Sequence, residues 1–367
     1  MMNNGYPIYK PKIGFSEGFA VIRSIARKQI SGKRNVISVE EKKIGKALNV
    51  SELILVSNGT VAIEVVLRVL NLPKGSRILV PENGYIAVAN SVIALNFELV
   101  VCPLNPDTLQ IDLEIAENLI VKKSVSAVII IHNYGFVTDL NLLQKICNTN
   151  GVFLIEDCAE AIGSTFNGTP VGSFGDAATF SFFANKLITS GEGGGVSFKS
   201  KIYSERARVL IDQGVKNKQL MTTEVLGFNH RLSAILVGVL SAQSRKINKL
   251  IGIKRIIYNY YKSYLFSDKI KFQVCPQGSS DVPWLVNIKF NSNKNRDECI
   301  KILAKNKVET RMIFPPLDKI YYGSHVKCNA SESGLEIYKH WLSLPSYPGL
   351  RKKDIRFICN LILKSLE

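Results

Sequence analysis

Between Ser51 and Phe198, short apolar runs alternate with stretches whose apolar residues recur at helical spacing. The runs in "ELILVS", "SRILVP", "FELVVCPL", "VSAVIIIHNYG" and "VFLIEDCAEAIGS" are near-continuous Val/Ile/Leu segments of strand length, the pattern of strands covered on both faces. Between them "VAIEVVLRVLNL", "IAVANSVIALN", a segment from about Leu113 and another from about Asn141 read as helices. This alternation predicts an α/β fold with a mostly parallel sheet and helices on both sides. "AATFSFF" adds a strand, and "GGGVSF" reads as the strand that returns beside it.

Past Phe198 the pattern changes. One long helical stretch, "SAILVGVLSAQSRKINKLIGIKRIIYNYYKSYL", leads to strands in "PWLVNIKF" and "VETRMIF" and a helix in "RDECIKILAKN". The expectation is a large α/β domain over residues 1–250 and a smaller C-terminal α+β domain over residues 251–367, joined between about 245 and 265. No internal repeat or low-complexity linker interrupts the chain.

Composition narrows the class. The 367 residues are 46% apolar, enough for one large core and a smaller second one. No apolar run approaches the roughly 20 residues of a membrane helix, and "MMNNGYPIYKPKIG" lacks the basic-then-apolar layout of a signal peptide, so a cytoplasmic protein off the membrane is expected. A net charge of +17 raises the question of nucleic acid. The lysines are spread from Lys10 to Lys364 without a basic block or an aromatic-basic repeat, which favours a solvated basic surface that also attracts anionic small molecules. Seven scattered cysteines without a CxxC and four isolated histidines predict neither a disulfide framework nor a metal site.

In such a fold ligands gather at the carboxyl ends of the strands. Those ends carry "SNGT" (Ser57 to Thr60), "HNYG" (His132 to Gly135), "EDCAE" (Glu156 to Glu160), and Asn185 with Lys186. Asp157 alone reads most simply as the cap of the following "CAEAIG". In the company of a lysine it suits another task, keeping a pyridinium nitrogen protonated as the acidic partner of pyridoxal phosphate (PLP) does. Lys186 stands between "FSFF" and "SGEGGG" rather than on a charged helix face, a placement suited to a reactive amine. "SNGTVAIEVV" could seat a phosphate, with Gly59 allowing close approach, Thr60 offering a hydroxyl and the helix start offering amides; a plain capped helix explains those residues equally well. "GEGGG" lacks the Lys-Ser/Thr of a P-loop and opens no helix, so its glycines are assigned to a tight turn and close packing behind the lysine.

Together these segments resemble the DegT/DnrJ/EryC1/StrS family of PLP-dependent nucleotide-sugar aminotransferases, which has the type I (aspartate aminotransferase-like) fold. The resemblance runs from "SNGT" through "VPENGYIAVANSVIAL", "HNYGFVTDL", "IEDCAEAIGSTFNGTPVGSFGDAATFSFFANK" and "LGFNHRLSAILVGVL" to "ETRMIFPPLD" and "LPSYP". It implies that Lys186 binds the cofactor's aldehyde, that Asp157 meets the ring nitrogen and that Tyr85 stacks on the ring. It further implies that Gly59, Thr60 and Ser181 hold the phosphate, and that Asn229 reaches it from the neighbouring subunit of a homodimer with shared active sites. Where the family often has glutamine the chain has Glu160, which when ionised only accepts hydrogen bonds; the ring oxygen keeps a proton, Glu160 keeps it, or Glu160 turns to the substrate. "NGYIAVA" also replaces the family's more usual Thr-Phe-x-Ala-Thr run.

A histidine in place of the lysine marks the family's dehydrating branch, so Lys186 implies amination. The implied reaction is a ping-pong transfer from L-glutamate to a nucleotide-linked 4-keto-6-deoxy sugar. "FSFFANKLITSGEGG", "EDCAEAIGS" and "VETRMIFPPL" look most like the branch that converts GDP-4-keto-6-deoxy-mannose to GDP-perosamine for a surface polysaccharide such as an O-antigen. Arg231 and Arg311 are candidates for the anionic substrate, with surface ion pairing the competing reading of Arg311. The alternatives are a UDP- or dTDP-linked ketone, a PLP-binding regulator without turnover, and a nucleic-acid binder, for which the chain carries no module.

Overall fold

The computed structural model describes residues 5–32, 34–217, 222–223, 225–320 and 332–367. Two helices, α1 (Phe15–Ala26) and α2 (Arg34–Leu48), precede the alternating region, where the pattern assigns no element. Then come β1 (Ile54–Val56), α3 (Gly59–Leu70), β2 (Arg77–Pro81), α4 (Ala87–Ala94), β3 (Glu98–Cys102), α5 (Leu113–Lys122), β4 (Val125–Ile131), α6 (Leu140–Asn150) and β5 (Phe153–Asp157). The helix starts are set by side chains that accept from otherwise orphaned amides: Asn58 from Val61, Asp112 from Glu114 and Ile115, Asp139 from Leu142.

A small hairpin follows, β6 (Thr165–Phe166) and β7 (Thr169–Pro170), and then β8 (Ala177–Ser181), β9 (Gly194–Phe198) and α7 (Lys201–Leu210). The central sheet has seven strands in the order β1-β9-β8-β5-β4-β2-β3. Only β9 runs against the others, pairing antiparallel with β8 and β1, as a returning "GGGVSF" requires. Alternation along each strand feeds two cores. Ile129, Ile131, Ile155 and Ala177 pack beneath α3, α4 and α7, while Val128, Ile130, Leu154 and Ala178 pack against α2, α5, α6 and the later helices. The predicted mostly parallel sheet with helices on both faces is thus present.

Beyond α7 lie a hairpin of β10 (Val215–Asn217) and β11 (Thr222–Thr223) and then α8 (Ala234–Ser244) and α9 (Ile247–Tyr264). The sequence pattern reads these two as one helix; the structure divides them at Arg245 and Lys246, where there is neither proline nor glycine. A tertiary contact marks the join. Buried Glu17 of α1 accepts from Gln243 Nε2 (2.9 Å) before the break and from Lys246 Nζ (2.7 Å) within it.

The remaining elements are β12 (Ile270–Phe272), β13 (Ser279–Ser280), β14 (Val286–Phe290), α10 (Asn293–Lys305), β15 (Arg311–Met312), α11 (Glu332–His340), β16 (Trp341–Leu344) and α12 (Lys352–Lys364). Strands β12-β14-β16-β15 form an antiparallel sheet, while β13 joins the β6/β7 hairpin. A third core of Ile257, Tyr261, Ile288, Leu303, Ile358 and their neighbours lies between the antiparallel sheet and α9, α10 and α12. The first described residues also run beside this unit, with Tyr6 bridged to Val308 and the Ile8 amide donating to Glu309 Oε2 at 2.9 Å. Among the described residues no helix is long and apolar enough to cross a membrane, and the six described cysteines are free, Cys328 lying outside them.

Candidate active site

Strand β5 sends successive carboxylates to opposite faces of the sheet. Glu156 points away from α3 and is saturated there: Oε1 accepts from Phe174 N (2.7 Å) and Gly175 N (2.7 Å), Oε2 from Gly172 N (2.9 Å) and lies 3.1 Å from His132 Nε2. Burial works to raise its carboxyl, but the His132 ring and these amides hold it below the ordinary carboxylate value. Its task is to fix the turn that delivers β8. Asp157 points to the α3 face, as Thr179 and Ser181 of β8 do by the same alternation.

On that face a cavity of about 590 Å³ opens at the carboxyl ends of the strands. One wall is the start of α3. Asn58 caps Val61, leaving the amides of Gly59 and Thr60 without intrahelical acceptors at the positive end of the helix. Gly59 is needed for this approach, because a Cβ there would come within 2.9 Å of the Ser181 Cβ. Gly194 is needed behind it, since a Cβ would meet the Asn58 carbonyl at 2.2 Å. The close packing expected of "GEGGG" is therefore present, and it lies beneath the loop where a phosphate would sit.

Lys186 enters from the loop after β8, its carbonyl accepting from Tyr9 Oη at 2.6 Å. Its Nζ lies 3.4 Å from Glu160 Oε1 and 4.3 Å from the centroid of the Trp284 ring. The second oxygen of Glu160 accepts from the amide of Tyr134 at 2.8 Å. Tyr134 holds a left-handed φ of 62° to do this; it also stacks on Phe314 and accepts from the Phe314 amide through Oη. Burial raises the pKa of Asp157, against the opposing pull of the Ala159 amide and Lys186. Burial likewise raises Glu160, opposed by Lys186 and the Tyr134 amide.

These residues fit PLP on three observations. Unpaired amides at a helix start beside Ser181 suit a phosphate. A buried carboxylate, Asp157, whose ionised form needs a cationic neighbour, suits a pyridinium nitrogen. Asn185 Oδ1, on the cavity wall, is buried with no hydrogen-bond partner among the described residues.

Of the residues picked out from the sequence, Gly59, Thr60, Tyr85, Asp157, Glu160, Ser181, Lys186 and Arg311 line this one cavity. Asn229 and Arg231 do not. Asn229 is exposed and bridges to Asp212, and Arg231, which bridges to Val56 at the edge of β1, is ion-paired to Asp212. Within this chain, then, Arg231 is engaged in a local ion pair outside the cavity. Asn185, placed at a strand end with Lys186 by the sequence but given no role there, lines the cavity, and Trp284 and Phe314 join it without having been picked out. The signal for Asn185 is its neighbour Lys186. Trp284 and Phe314 carry none, because they come from the distant C-terminal unit and no spacing links them to the lysine.

The profile of the DegT/DnrJ/EryC1/StrS aminotransferase family matches residues 17–363. The GDP-perosamine synthase of Vibrio cholerae is 32% identical over 97% of this chain and 98% of that protein. The UDP-N-acetyl-3-dehydro-alpha-D-glucosamine 3-aminotransferase of Acidithiobacillus ferrooxidans is 28% identical over 85% of this chain and 83% of that protein. Among solved structures, the aminotransferase TlmJ from Streptoalloteichus hindustanus superposes with a TM-score of 0.92 at 23% identity, covering 98% of both chains.

Proposed function

The chain belongs to the DegT/DnrJ/EryC1/StrS aminotransferase family and is a PLP-dependent sugar aminotransferase; on that premise we propose that it moves the amino group of L-glutamate to GDP-4-keto-6-deoxy-mannose, giving GDP-perosamine. The observation that carries the substrate reading is the 32% identity to a GDP-perosamine synthase across 97% of the chain. The setting that follows is cytoplasmic supply of an amino sugar for a surface polysaccharide.

PLP, when bound, supplies an electron sink for charge that develops at the donor's α-carbon. The chain supplies the rest. The amides of Gly59 and Thr60 and the hydroxyl of Ser181 bind the phosphate at the start of α3. Asp157 would hold the ring nitrogen and keep it protonated, staying ionised itself beside that cationic partner despite its burial. Lys186 binds the aldehyde carbon through Nζ and, when free, moves a proton at that same atom. Glu160, 3.4 Å from Nζ, accepts from the ammonium form. Tyr85, half-exposed at the cavity mouth, covers the ring, and Arg311 meets the donor carboxylate or the substrate diphosphate.

The same reading makes the enzyme a homodimer with shared sites. Helix α1 turns Phe15, Phe19 and Ile22 outward, and Leu226, near exposed Asn229, is 79% exposed. On this reading a second copy covers these positions and supplies its Asn229 to this chain's phosphate loop.

The test is the visible spectrum of the PLP-loaded protein as substrates are added in turn. L-glutamate should bleach the lysine-bound cofactor's band, and GDP-4-keto-6-deoxy-mannose should restore it. Bleaching that only a UDP- or dTDP-linked ketone reverses would replace the GDP substrate; a band untouched by any amino donor would defeat the transamination reading itself.

A further inference from the structure

Lys254 of α9 is 1% exposed and, among the described residues, forms no ion pair with a carboxylate. Burial pushes its pKa well below the ordinary lysine value. Nζ donates to the Trp284 carbonyl (2.7 Å) and the Ser346 carbonyl (2.6 Å) and lies 2.7 Å from Ser346 Oγ, so that three polar partners enclose it. The Tyr9 ring lies 5.6 Å away on another side, and Tyr9 Oη donates to the Lys186 carbonyl.

The cage closes on one residue of the active site. Trp284 is held at every polar atom it has: its amide donates to the Tyr134 carbonyl (2.7 Å), its Nε1 to the Asn185 carbonyl (2.6 Å), and its carbonyl accepts from Lys254 and from Ser346 Oγ (2.9 Å). The indole so fixed is the surface over which Lys186 Nζ lies. Tyr134, whose carbonyl accepts the hydrogen bond from the Trp284 amide, is the residue whose own amide holds Glu160. Helix α9 thus reaches both partners of the lysine through one backbone segment.

We propose that Lys254 is a positioning residue for the reaction: its caged amine fixes the Trp284 carbonyl, and through it the indole on which Lys186 Nζ rests. The proposal rests on Lys186 being the reacting amine. It gives a buried lysine a task in the chemistry, where a purely structural clamp would affect stability alone.

The experiment is Lys254→Met, which keeps the stem and removes the amine. The chain has two tryptophans, so fluorotryptophan labelling gives two fluorine resonances, with Trp284→Phe assigning one and Trp341 serving as the internal reference. In the cofactor-free Lys254→Met protein the Trp284 resonance should move or broaden while that of Trp341 stays. In the loaded enzyme kcat should fall about 10- to 100-fold, as a misplaced reactive group predicts, with the KM for the nucleotide sugar little changed. An unmoved Trp284 resonance, or a moved one with undiminished kcat, would overturn the proposal. Should Lys254→Met fail to fold, Ser346→Ala takes its place: it removes one polar partner of the amine and one donor to the Trp284 carbonyl, and a Trp284 resonance identical to wild type would be equally fatal. Because the resonance is read without substrate, its outcome does not depend on which sugar the enzyme aminates.

Discussion

Lys186 has a carboxylate on one side of its Nζ and an indole on the other, and neither is visible from its place in the sequence. Glu160 is a better acceptor for an ammonium than the amide more usual at its position. Two substitutions test the reading at this scale. Lys186→Ala should retain some cofactor binding but lose the lysine-bound visible band and turnover by roughly 10³-fold or more, since one amine both binds and moves the proton. Asp157→Asn should fold and bind PLP yet turn over on the order of 100-fold more slowly, because a neutral amide does not hold the ring nitrogen protonated; single-turnover bleaching by glutamate reads this step directly. Glu156 shows the limit of reading residues singly. It stands next to Asp157 in "IEDC" and looks equally catalytic, but the alternation of β5 turns it to the other face, where it holds backbone amides.

At the scale of elements, the site depends on how closely α3 can approach β8 and β9. The two contacts are Gly59 against Ser181 and Gly194 against Asn58. Gly194→Ala forces a methyl group against a backbone carbonyl 2.2 Å away, in a place where neither strand can yield alone. The expected cost is about 1–3 kcal/mol of stability, with weaker PLP binding on top, measured by thermal melting and absorbance titration. Gly252→Ala is the control. It lies within α9 with nothing inside 4 Å of the added methyl, so it should be neutral or slightly stabilising and leave PLP affinity unchanged. The division of α8 from α9 belongs to this scale too, because helical periodicity continues through Arg245 and Lys246, where Glu17 of α1 accepts from side chains on either side of the join. We place the junction of the large and small units within α9, near residue 250, as its first turns pack on the parallel sheet and its last on the antiparallel one.

At the scale of the molecule, two units and, on our reading, two copies meet at each site. Mixing Lys186→Ala with Asn229→Ala chains tests the second copy. If Asn229 serves the neighbour's site, each mixed dimer has one site with both residues intact, and random exchange should restore roughly a quarter of wild-type activity from two nearly dead parents; no recovery after demonstrated subunit exchange would place Asn229 in its own chain's structure only. Much of this protein is set locally along its chain. Strand and helix periodicity specify the alternating sheet because burial on both faces demands continuous apolar runs. "SNGT", "EDCAE" and "FSFFANK" put a helix start, two carboxylates and an amine at strand ends, where the topology makes them converge. Tertiary structure alone decided what no local rule contains: the return of Trp284 and Phe314 from the C-terminal unit, the pairing of Arg231 with Asp212 outside the cavity, and the caged Lys254 on a helix whose spacing shows only an ordinary lysine. The physical reason is that periodicity reports which face of an element is buried, whereas the partner on that face is chosen by packing between residues far apart in the chain.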